Sequence, residues 1–410
     1  MRKLFNKTFL TIILLNILIT PVYAINKTDT QANQEDAKSK LFLKLKELGV
    51  IEERDGVKDF ENWKKQAEQG NANAQANLGL DYMHGYGVKK DYTKAVEYLQ
   101  KAAVQGHADA QYNLGVLYSN GQGVKQDHAK AVEYWRKAAA QGNVGAQYNL
   151  GVAYANGRGV EQDYAKAVKY SQEAAAQGNA NAQYNLAIAY TNGQSVKQDY
   201  TKAVEYYQKA AEQGNANAQL RLGILYHNGQ GVKQDDVKAV EYYQKAANQG
   251  NADAQLDLGW AYEHGQGIKQ DYTKAVEYYQ KAADQGNVEA QLNLGLAYAT
   301  GQGVKRNYMK AVEVYRKAAA QGNVEAQFAL GAAYNYGLGV KKNYTKAVEY
   351  YQKAADQGDA LAQFNLGTLY YNGKGVKRSM VKAIEYYQKA AAQGDKYAIK
   401  ALKRIDQASL

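Results

Sequence analysis

Apolar and small residues recur at helical spacing in two alternating kinds of stretch along this chain. In "HADAQYNLGVLYSNG", residues 107–121, Leu114 and Leu117 are three positions apart and Tyr118 lies four after Leu114. This period predicts an amphipathic helix, which we call helix A. The alanine-rich stretch "YAKAVKYSQEAAAQG", residues 164–178, predicts a second amphipathic helix, helix B. A polar loop is expected to join each A helix to the B helix that follows it.

The two stretches alternate with a fixed period. A Gln-Gly pair closes each unit from Gln69-Gly70 to Gln393-Gly394, at a spacing of 36 residues and without insertion. This regularity predicts nine repeats over residues 71–394. Neither helix can bury its apolar face alone, so each repeat is expected to pack on its neighbours. The predicted fold class is therefore all-α, a solenoid of 36-residue helix-turn-helix repeats with a continuous core.

Polar and glycine positions predict how the helices begin and end. Asp127 and its equivalents precede helix B, where an N-cap residue is needed, and Gly70 and its equivalents follow helix B. Gly121-x-Gly123 is interpreted as a turn with positive φ rather than a phosphate loop, because no strand precedes it and a third glycine is missing. Gly115 predicts close packing of helix B on helix A. Residues 39–70 and 395–410 are predicted to form helices that cap the array.

The first residues carry the pattern of an export signal. Residues 1–24 combine a basic start, an apolar middle and a small residue at Ala24, and they predict a cleaved signal peptide. Residues 25–38 are predicted to be a disordered tether. The mature chain is expected to have no transmembrane segment and to be periplasmic or secreted. The chain has 0 Cys, so disulfides and thiolate metal sites are excluded.

The repeat consensus resembles a known family. The pattern A-x-A-Q-x-x-L-G-x-x-Y-x-x-G-x-G-V-x-x-D-x-x-K-A, followed by K-A-A-x-Q-G, is similar to the Sel-one-like repeat, a relative of the tetratricopeptide repeat. The resemblance covers residues 59–406 and implies a right-handed αα superhelix that acts in protein interaction or assembly. Some exported relatives are disulfide-linked and credited with β-lactam binding or hydrolysis, and the lack of Cys departs from that branch. Other exported relatives act in host-cell entry, immune-protein binding or polysaccharide export.

A concave face lined by helix A would present the positions that vary most between repeats. The second such position alternates among aromatic and aliphatic residues, which suit anchor roles in a protein interface. The same position could instead pack between neighbouring A helices, and both interpretations stay open. The predicted partner-binding residues are Tyr112, Tyr148, Tyr184, His227, Trp260, Glu263, Phe328, Phe364 and Tyr371.

The sequence offers no pattern typical of catalysis. The five His are scattered, Glu263-His264 is not an H-E-x-x-H motif, and serines lack a G-x-S-x-G context. We therefore predict no catalytic residues, no metal site, no cofactor and a protein or peptide partner. The formal net charge of +11 permits acidic partners, but dispersed lysines and the export signal argue against nucleic acid. Two alternatives stay open: a binder of envelope polysaccharide or peptidoglycan, and a weak β-lactam hydrolase.

Overall fold

The structure, a computed structural model, describes residues 56–408. The predicted signal peptide, the tether and the part of the first capping segment before residue 56 lie outside the described residues. Within the described range the secondary structure is entirely helical, with twenty helices of 13 residues each. The predicted all-α class of paired helices is confirmed. The helices are α1 (Gly56–Glu68), α2 (Ala72–His84), α3 (Tyr92–Val104), α4 (Ala108–Asn120), α5 (His128–Ala140), α6 (Val144–Asn156), α7 (Tyr164–Ala176), α8 (Ala180–Asn192), α9 (Tyr200–Glu212), α10 (Ala216–Asn228), α11 (Asp236–Asn248), α12 (Ala252–His264), α13 (Tyr272–Asp284), α14 (Val288–Thr300), α15 (Tyr308–Ala320), α16 (Val324–Tyr336), α17 (Tyr344–Asp356), α18 (Ala360–Asn372), α19 (Met380–Ala392) and α20 (Lys396–Ala408).

The chain divides into two compact units, residues 1–143 and 144–410. The described part of the first unit contains α1 to α5, and that of the second contains α6 to α20. In both units the predicted A helices are even-numbered, from α2 to α18, and each packs on the B helix that follows it. Helix α1 packs on α2, and α20 packs on α19.

The predicted caps set the helix boundaries. Asp235 has an extended backbone, and its side chain accepts a hydrogen bond from the backbone N–H of Lys238, which satisfies one of the free donors of α11. Gly250 follows α11 at φ +86°, so the chain turns there in the left-handed conformation that favours glycine. Asn215 caps α10 in the same way as Asp235 caps α11, through the backbone N–H of Ala218. The roles predicted for Asp before helix B and for Gly after it are confirmed.

Close approach within each helix pair depends on the glycine of the Leu-Gly pair. A Cβ atom on Gly259 in α12 would lie 2.7 Å from Cδ1 of Tyr279 in α13, which is shorter than any ordinary contact. Tyr279 is therefore buried against the bare backbone of α12. Ala187 is the single departure from glycine at this position and is fully buried. Tyr207, which corresponds to Tyr279 and lies in the same repeat as Ala187, is also buried. The packing role predicted for the glycine is confirmed.

A buried glutamine joins successive repeats. Gln219 in α10 is 6 % exposed. Its Nε2 donates to the carbonyl oxygen of Ala211, at 3.1 Å, at the end of the preceding B helix. Its Oε1 accepts a hydrogen bond from Nε2 of Gln249, at 2.7 Å, beyond the end of α11. The Gln of A-x-A-Q and the Gln of the Gln-Gly pair are thus fixed by hydrogen bonding inside the array.

Replacement of Gln219 by alanine is expected to lower the free energy of unfolding by about 1–3 kcal/mol, because it removes a buried hydrogen bond to the Ala211 carbonyl, which keeps its bond from the backbone N–H of Gly214, and leaves the Gln249 amide without its partner. Urea denaturation followed by circular dichroism measures the change. Gln172→Ala is the matched control, since Gln172 is an exposed helical glutamine in α7. Equal midpoints for the two variants would contradict the role given to Gln219.

The lysines cover stacked tyrosines. Tyr226 in α10 and Tyr242 in α11 stack with ring centroids 5.7 Å apart. Nζ of Lys238 lies 5.3 Å from the Tyr226 ring centroid, and Nζ of Lys245 lies 5.0 Å from that of Tyr242. Comparable stacks recur in other repeats of both units. Much of the positive charge is therefore placed over aromatic rings, where cation–π attraction stabilises it.

The loop between helices A and B needs positive φ at two positions. Gly229 and Gly231 have φ of +66° and +71°. A Cβ atom on Gly231 would lie 2.4 Å from the carbonyl carbon of Tyr200. The absence of a side chain at Gly231 therefore allows the loop to pack closely on the preceding repeat. Ser195 takes the position of Gly231 in the repeat before and has φ +55°. It is the single non-glycine residue with positive φ among residues 56–408. The flanking helices α8 and α9 have the same length as in the other repeats, so the loop keeps its conformation although serine is strained at positive φ.

Across residues 56–408, none of the helices combines the length and apolarity that crossing a bilayer requires.

Candidate functional site

The aromatic residues predicted at the second helix-A position are half-buried. Tyr184 contacts Tyr207 of its own repeat, with ring centroids 5.8 Å apart, and Phe328 and Phe364 contact helix-B tyrosines in the same way at 5.7 Å. Tyr148 is also half-buried, and burial raises the pKa of its hydroxyl. These side chains therefore pack within their repeats while keeping part of their surface exposed. Tyr112 occupies the same position in the first unit and is likewise half-buried.

The residues predicted at the ends of the A helices have different partners. Glu263 accepts a hydrogen bond from the Tyr279 hydroxyl at 2.5 Å, and this bond, together with burial, raises the pKa of Tyr279. Tyr371 in α18 is exposed and lies beside Arg378, whose guanidinium carbon is 5.9 Å from the ring centroid. Glu263 is thus hydrogen-bonded within its own repeat, whereas the Tyr371 ring is exposed, and the partner-binding role of both stays a prediction.

His227 and Trp260 lie together in one cleft of about 260 Å³ in the second unit. Helices α10, α11, α12 and α14 supply its walls. Its floor is apolar, made of small and aliphatic residues of α11 and α12 with the ring of Tyr243. Its rim is polar and includes Gln266 from the loop after α12. The lining residues are His227, Asp236, Ala239, Val240, Tyr243, Asp257, Trp260, Ala261, Gln266 and Glu289.

A hydrogen-bonded group forms one wall of the cleft. Nδ1 of His227 donates to Oδ1 of Asp236 at 2.8 Å, and Nε2 of Gln266 donates to Oδ2 of the same carboxylate at 3.2 Å. Asp236 is the first residue of α11, where a negative charge is favoured by the helix dipole. This wall is therefore built from groups that already satisfy one another.

Trp260 forms the opposite, aromatic side. Its ring is 39 % exposed and stacks on His264, with ring centroids 4.4 Å apart and an interplanar angle of 27°. The edge contact with His227 has a centroid distance of 6.0 Å and an interplanar angle of 78°. His264 is itself held by donating from Nδ1 to the carbonyl oxygen of Trp260 at 3.0 Å. The indole is thus held in place from two sides and still open to the cleft.

Asp257 is the least satisfied group of the cleft. Burial, together with the negative charges of Asp253 and Glu289, raises the pKa of its carboxyl to about 6, while His227 acts in the opposite direction. Within the described part of the chain, this carboxylate accepts no hydrogen bond and joins no ion pair. Burial also raises the pKa of the neighbouring Tyr243 hydroxyl. The cleft therefore holds negative charge that the protein does not neutralise.

The sequence-based prediction identified two of the cleft residues and missed others. His227 and Trp260 were predicted, whereas Asp236, Asp257 and Gln266 were not. Comparison of the repeats could have identified Asp236 and Asp257, because both replace a residue type that most other repeats share at that position. Six other repeats carry tyrosine at the position of Asp236, namely Tyr92, Tyr164, Tyr200, Tyr272, Tyr308 and Tyr344. Six carry asparagine at the position of Asp257, namely Asn77, Asn113, Asn149, Asn185, Asn293 and Asn365.

No group of three or more His, Asp or Glu side chains in residues 56–408 could hold a metal ion. The cleft can act chemically through charge, hydrogen bonding and the exposed indole face.

The sequence matches the Sel1 repeat family in nine consecutive segments, from residues 72–107 to residues 360–395. Two solved structures are similar to the chain over most of its length. A protective antigen of uropathogenic Escherichia coli strains, described as displaying an SLR fold, is 39 % identical, with 83 % of this chain and 80 % of that chain covered and a TM-score of 0.66. A Sel1 repeat protein from Oxalobacter formigenes is 34 % identical, with 75 % of this chain and 89 % of that chain covered and a TM-score of 0.57. No curated protein matches the sequence.

Proposed function

Because the chain belongs to the Sel1 repeat family, whose repeats typically form protein-interaction scaffolds, we propose that it is an exported, non-enzymatic scaffold that binds a protein or peptide partner through its helix-A side chains. This proposal rests on the contrast between buried positions that are constant and exposed helix-A positions that vary from repeat to repeat. The buried glutamine and the helix-A tyrosine are the same in every repeat, whereas exposed helix-A positions differ from repeat to repeat. A scaffold that binds one partner needs such a constant frame with a variable surface.

Several exposed side chains suit this role. Trp260, Leu296, Leu361 and Tyr371 are large, at least partly apolar residues of A helices with 37–49 % of their surface exposed. Residues of this kind supply most of the binding energy in protein interfaces when they enter pockets of the partner. Tyr148, Tyr184, Phe328 and Phe364, which are half-buried, would add to such a surface.

Export is supported by the pattern of residues 1–24. The similarity to a protective antigen is a second support, because an antigen that protects must be reachable from outside the cell. The proposed location is the periplasm or the cell exterior.

Site-specific photocrosslinking in intact cells tests the proposed surface. A benzophenone amino acid is placed at Leu296 or Leu361, two exposed helix-A positions, and in separate variants at Met309 or Val381, two exposed helix-B positions. We expect the helix-A variants to form a defined protein adduct that the helix-B variants do not form. Adducts of equal yield from both sets, or recovery of glycan alone, would contradict this surface and favour polysaccharide binding. Turnover of nitrocefin by the purified protein would contradict a non-enzymatic role.

A further inference from the structure

Three departures from the repeat pattern meet at the cleft of Trp260. Asp236 replaces the usual tyrosine, Asp257 replaces the usual asparagine, and Trp260 replaces residues that are aliphatic or small elsewhere. The residues at the position of Trp260 in the other repeats are Leu80, Val116, Val152, Ile188, Ile224, Leu296, Ala332 and Thr368. Asp257 and Trp260 lie one turn apart on α12 and Asp236 begins α11, and all three line one cleft.

The first change opens space without losing the local hydrogen bond. In the first unit, the hydroxyl of Tyr92 accepts a hydrogen bond from Nε2 of Gln122 in the loop of the next repeat, at 3.1 Å. In the second unit, the equivalent Asp236 carboxylate accepts from the equivalent Gln266 at 3.2 Å. Aspartate thus keeps the contact with the loop but omits the aromatic ring. The cleft of about 260 Å³ lies beside this shorter side chain.

The second change adds a charge that the fold itself does not use. Asparagine at this position donates from Nδ2 to the backbone carbonyl four residues earlier, as Asn113 does to Asp109 at 2.8 Å and Asn365 does to Leu361 at 2.8 Å. Asp257 cannot donate when it is ionised. It also faces the carboxylates of Asp253 and Glu289. Local negative charge therefore accumulates in a chain whose formal net charge is +11.

The third change places an exposed aromatic face beside these carboxylates. Trp260 is fixed by His264 and His227. Tryptophan is the best aromatic partner for a cation, and the planar guanidinium of arginine both stacks on indole and donates to carboxylates in a fixed geometry. Lysine carries a compact, strongly hydrated charge that meets only part of this arrangement.

We propose that the cleft bounded by Asp236, Asp257 and Trp260 binds an arginine side chain of the partner protein. The guanidinium lies on the Trp260 indole and donates to the Asp257 carboxylate, with Glu289 at the rim. This inference rests on the proposed scaffold function and specifies the chemistry of the partner segment.

Titration of the full chain with a defined peptide tests the inference. The probe is acetyl-Gly-Arg-Gly-amide, and the matched neutral probe has citrulline in place of arginine. Binding is followed by isothermal titration calorimetry and, for the chains that keep Trp260, by intrinsic tryptophan fluorescence, to which Trp63 and Trp135 also contribute. We expect the arginine peptide to bind more tightly than the citrulline peptide by about tenfold or more, since one charge-assisted hydrogen bond corresponds to that ratio. Equal affinity of the arginine and citrulline peptides, or tighter binding of acetyl-Gly-Lys-Gly-amide than of the arginine peptide, would overturn the assignment.

Variants that restore the repeat consensus supply the second part of the test. Asp257→Asn, Asp236→Tyr and Trp260→Leu are each expected to weaken arginine-peptide binding by about tenfold. Asp257→Asn is expected to be more stable than the native chain, so loss of binding in this variant cannot come from unfolding. Glu325→Gln removes an exposed carboxylate at the helix-A position of Glu289 in the next repeat and is the control for general charge effects. Unchanged binding by Asp257→Asn, or equal weakening by Glu325→Gln, would overturn the proposal.

The two proposals fail separately. Crosslinking from Leu296 and Leu361 does not depend on Asp257, so adducts that persist when the arginine peptide fails to bind would reject the cleft and retain the scaffold. Absence of adducts from helix-A positions would reject the scaffold surface, whatever the peptide does.

Discussion

Replacement of Asp257 by asparagine is expected to stabilise the protein at pH 7.5 by about 1–2 kcal/mol. The carboxyl has a pKa of about 6 in the folded chain, against about 3.9 in an unfolded one. A difference of this size corresponds to about 2.9 kcal/mol, which solvent screening of a partly exposed group reduces. Asparagine removes the charge, and its Nδ2 can donate to the carbonyl of Asp253 as Asn113 does to Asp109.

The sign of the pH dependence follows from the raised pKa. Below about pH 4 the carboxyl is protonated in both states, so the native chain keeps its full stability relative to the variant. As the pH rises through 6, Asp257 must ionise in the folded state against Asp253 and Glu289, and this stability is lost. Asp236 and Tyr243 also face the cleft, and His227 offsets part of the repulsion. The stabilisation by asparagine should therefore grow between about pH 4 and pH 7.

Urea denaturation of both proteins at pH 4, 5, 6 and 7.5 measures this difference. Glu325→Gln is the control, because Glu325 is an exposed helix-A carboxylate outside the cleft and its neutralisation should change stability little. A stability difference that is flat across this pH range, or an asparagine variant that is less stable at pH 7.5, would contradict the unneutralised charge.

Replacement of Gly231 by serine is expected to lower the free energy of unfolding by about 2–4 kcal/mol. Serine would have to adopt a φ of +71° and place its Cβ 2.4 Å from the carbonyl carbon of Tyr200. The left-handed backbone costs about 1–2 kcal/mol, and the backbone shift needed to relieve the overlap costs about 1–3 kcal/mol. The midpoint of urea denaturation measures the loss, and hydrogen exchange around residues 229–243 shows where the array opens first.

The reverse change in the neighbouring repeat is the matched control. Ser195 already occupies the left-handed region with φ +55°. Ser195→Gly is expected to raise stability by about 0.5–1 kcal/mol, which is the backbone strain less the extra freedom of glycine in the unfolded chain. Equal effects of the same sign from Gly231→Ser and Ser195→Gly would contradict the requirement for a left-handed residue in this loop.

The helices and their ends could be read from the sequence because their causes are local. The spacing of Leu114, Leu117 and Tyr118 requires a helix to bring these residues to one face, and the structure places α4 at Ala108–Asn120. An aspartate such as Asp235 can satisfy a free N–H of the following helix without distant contacts. The strict recurrence of these signals then fixed the pairing of helices in both units.

The role of the buried glutamines could not be read in this way. Gln219 stands in a helical segment where its polarity suggests a solvent-facing position, but its partners are Ala211 and Gln249 on two different B-helix ends. Only the packing of three helices brings those groups within hydrogen-bonding distance. The same holds for the lysines: Lys238 looks solvated in sequence and lies over the ring of Tyr226 in space.

The sequence by itself determined the helical repeat, its caps, its glycines and the A-helix positions that vary, because each depends on residues close in the chain or repeated in register. The partner-binding role of Tyr112, Tyr148 and Tyr184 stays a prediction. Only the tertiary structure decided that Asp236 shares one cleft with Asp257 and Trp260. Asp257 and Trp260 are three residues apart on α12 and so lie on one helix face, whereas Asp236 lies on α11 and meets them through the packing of α11 and α12. The physical reason is that burial and charge repulsion depend on distances in space, and sequence spacing records these distances only within one element.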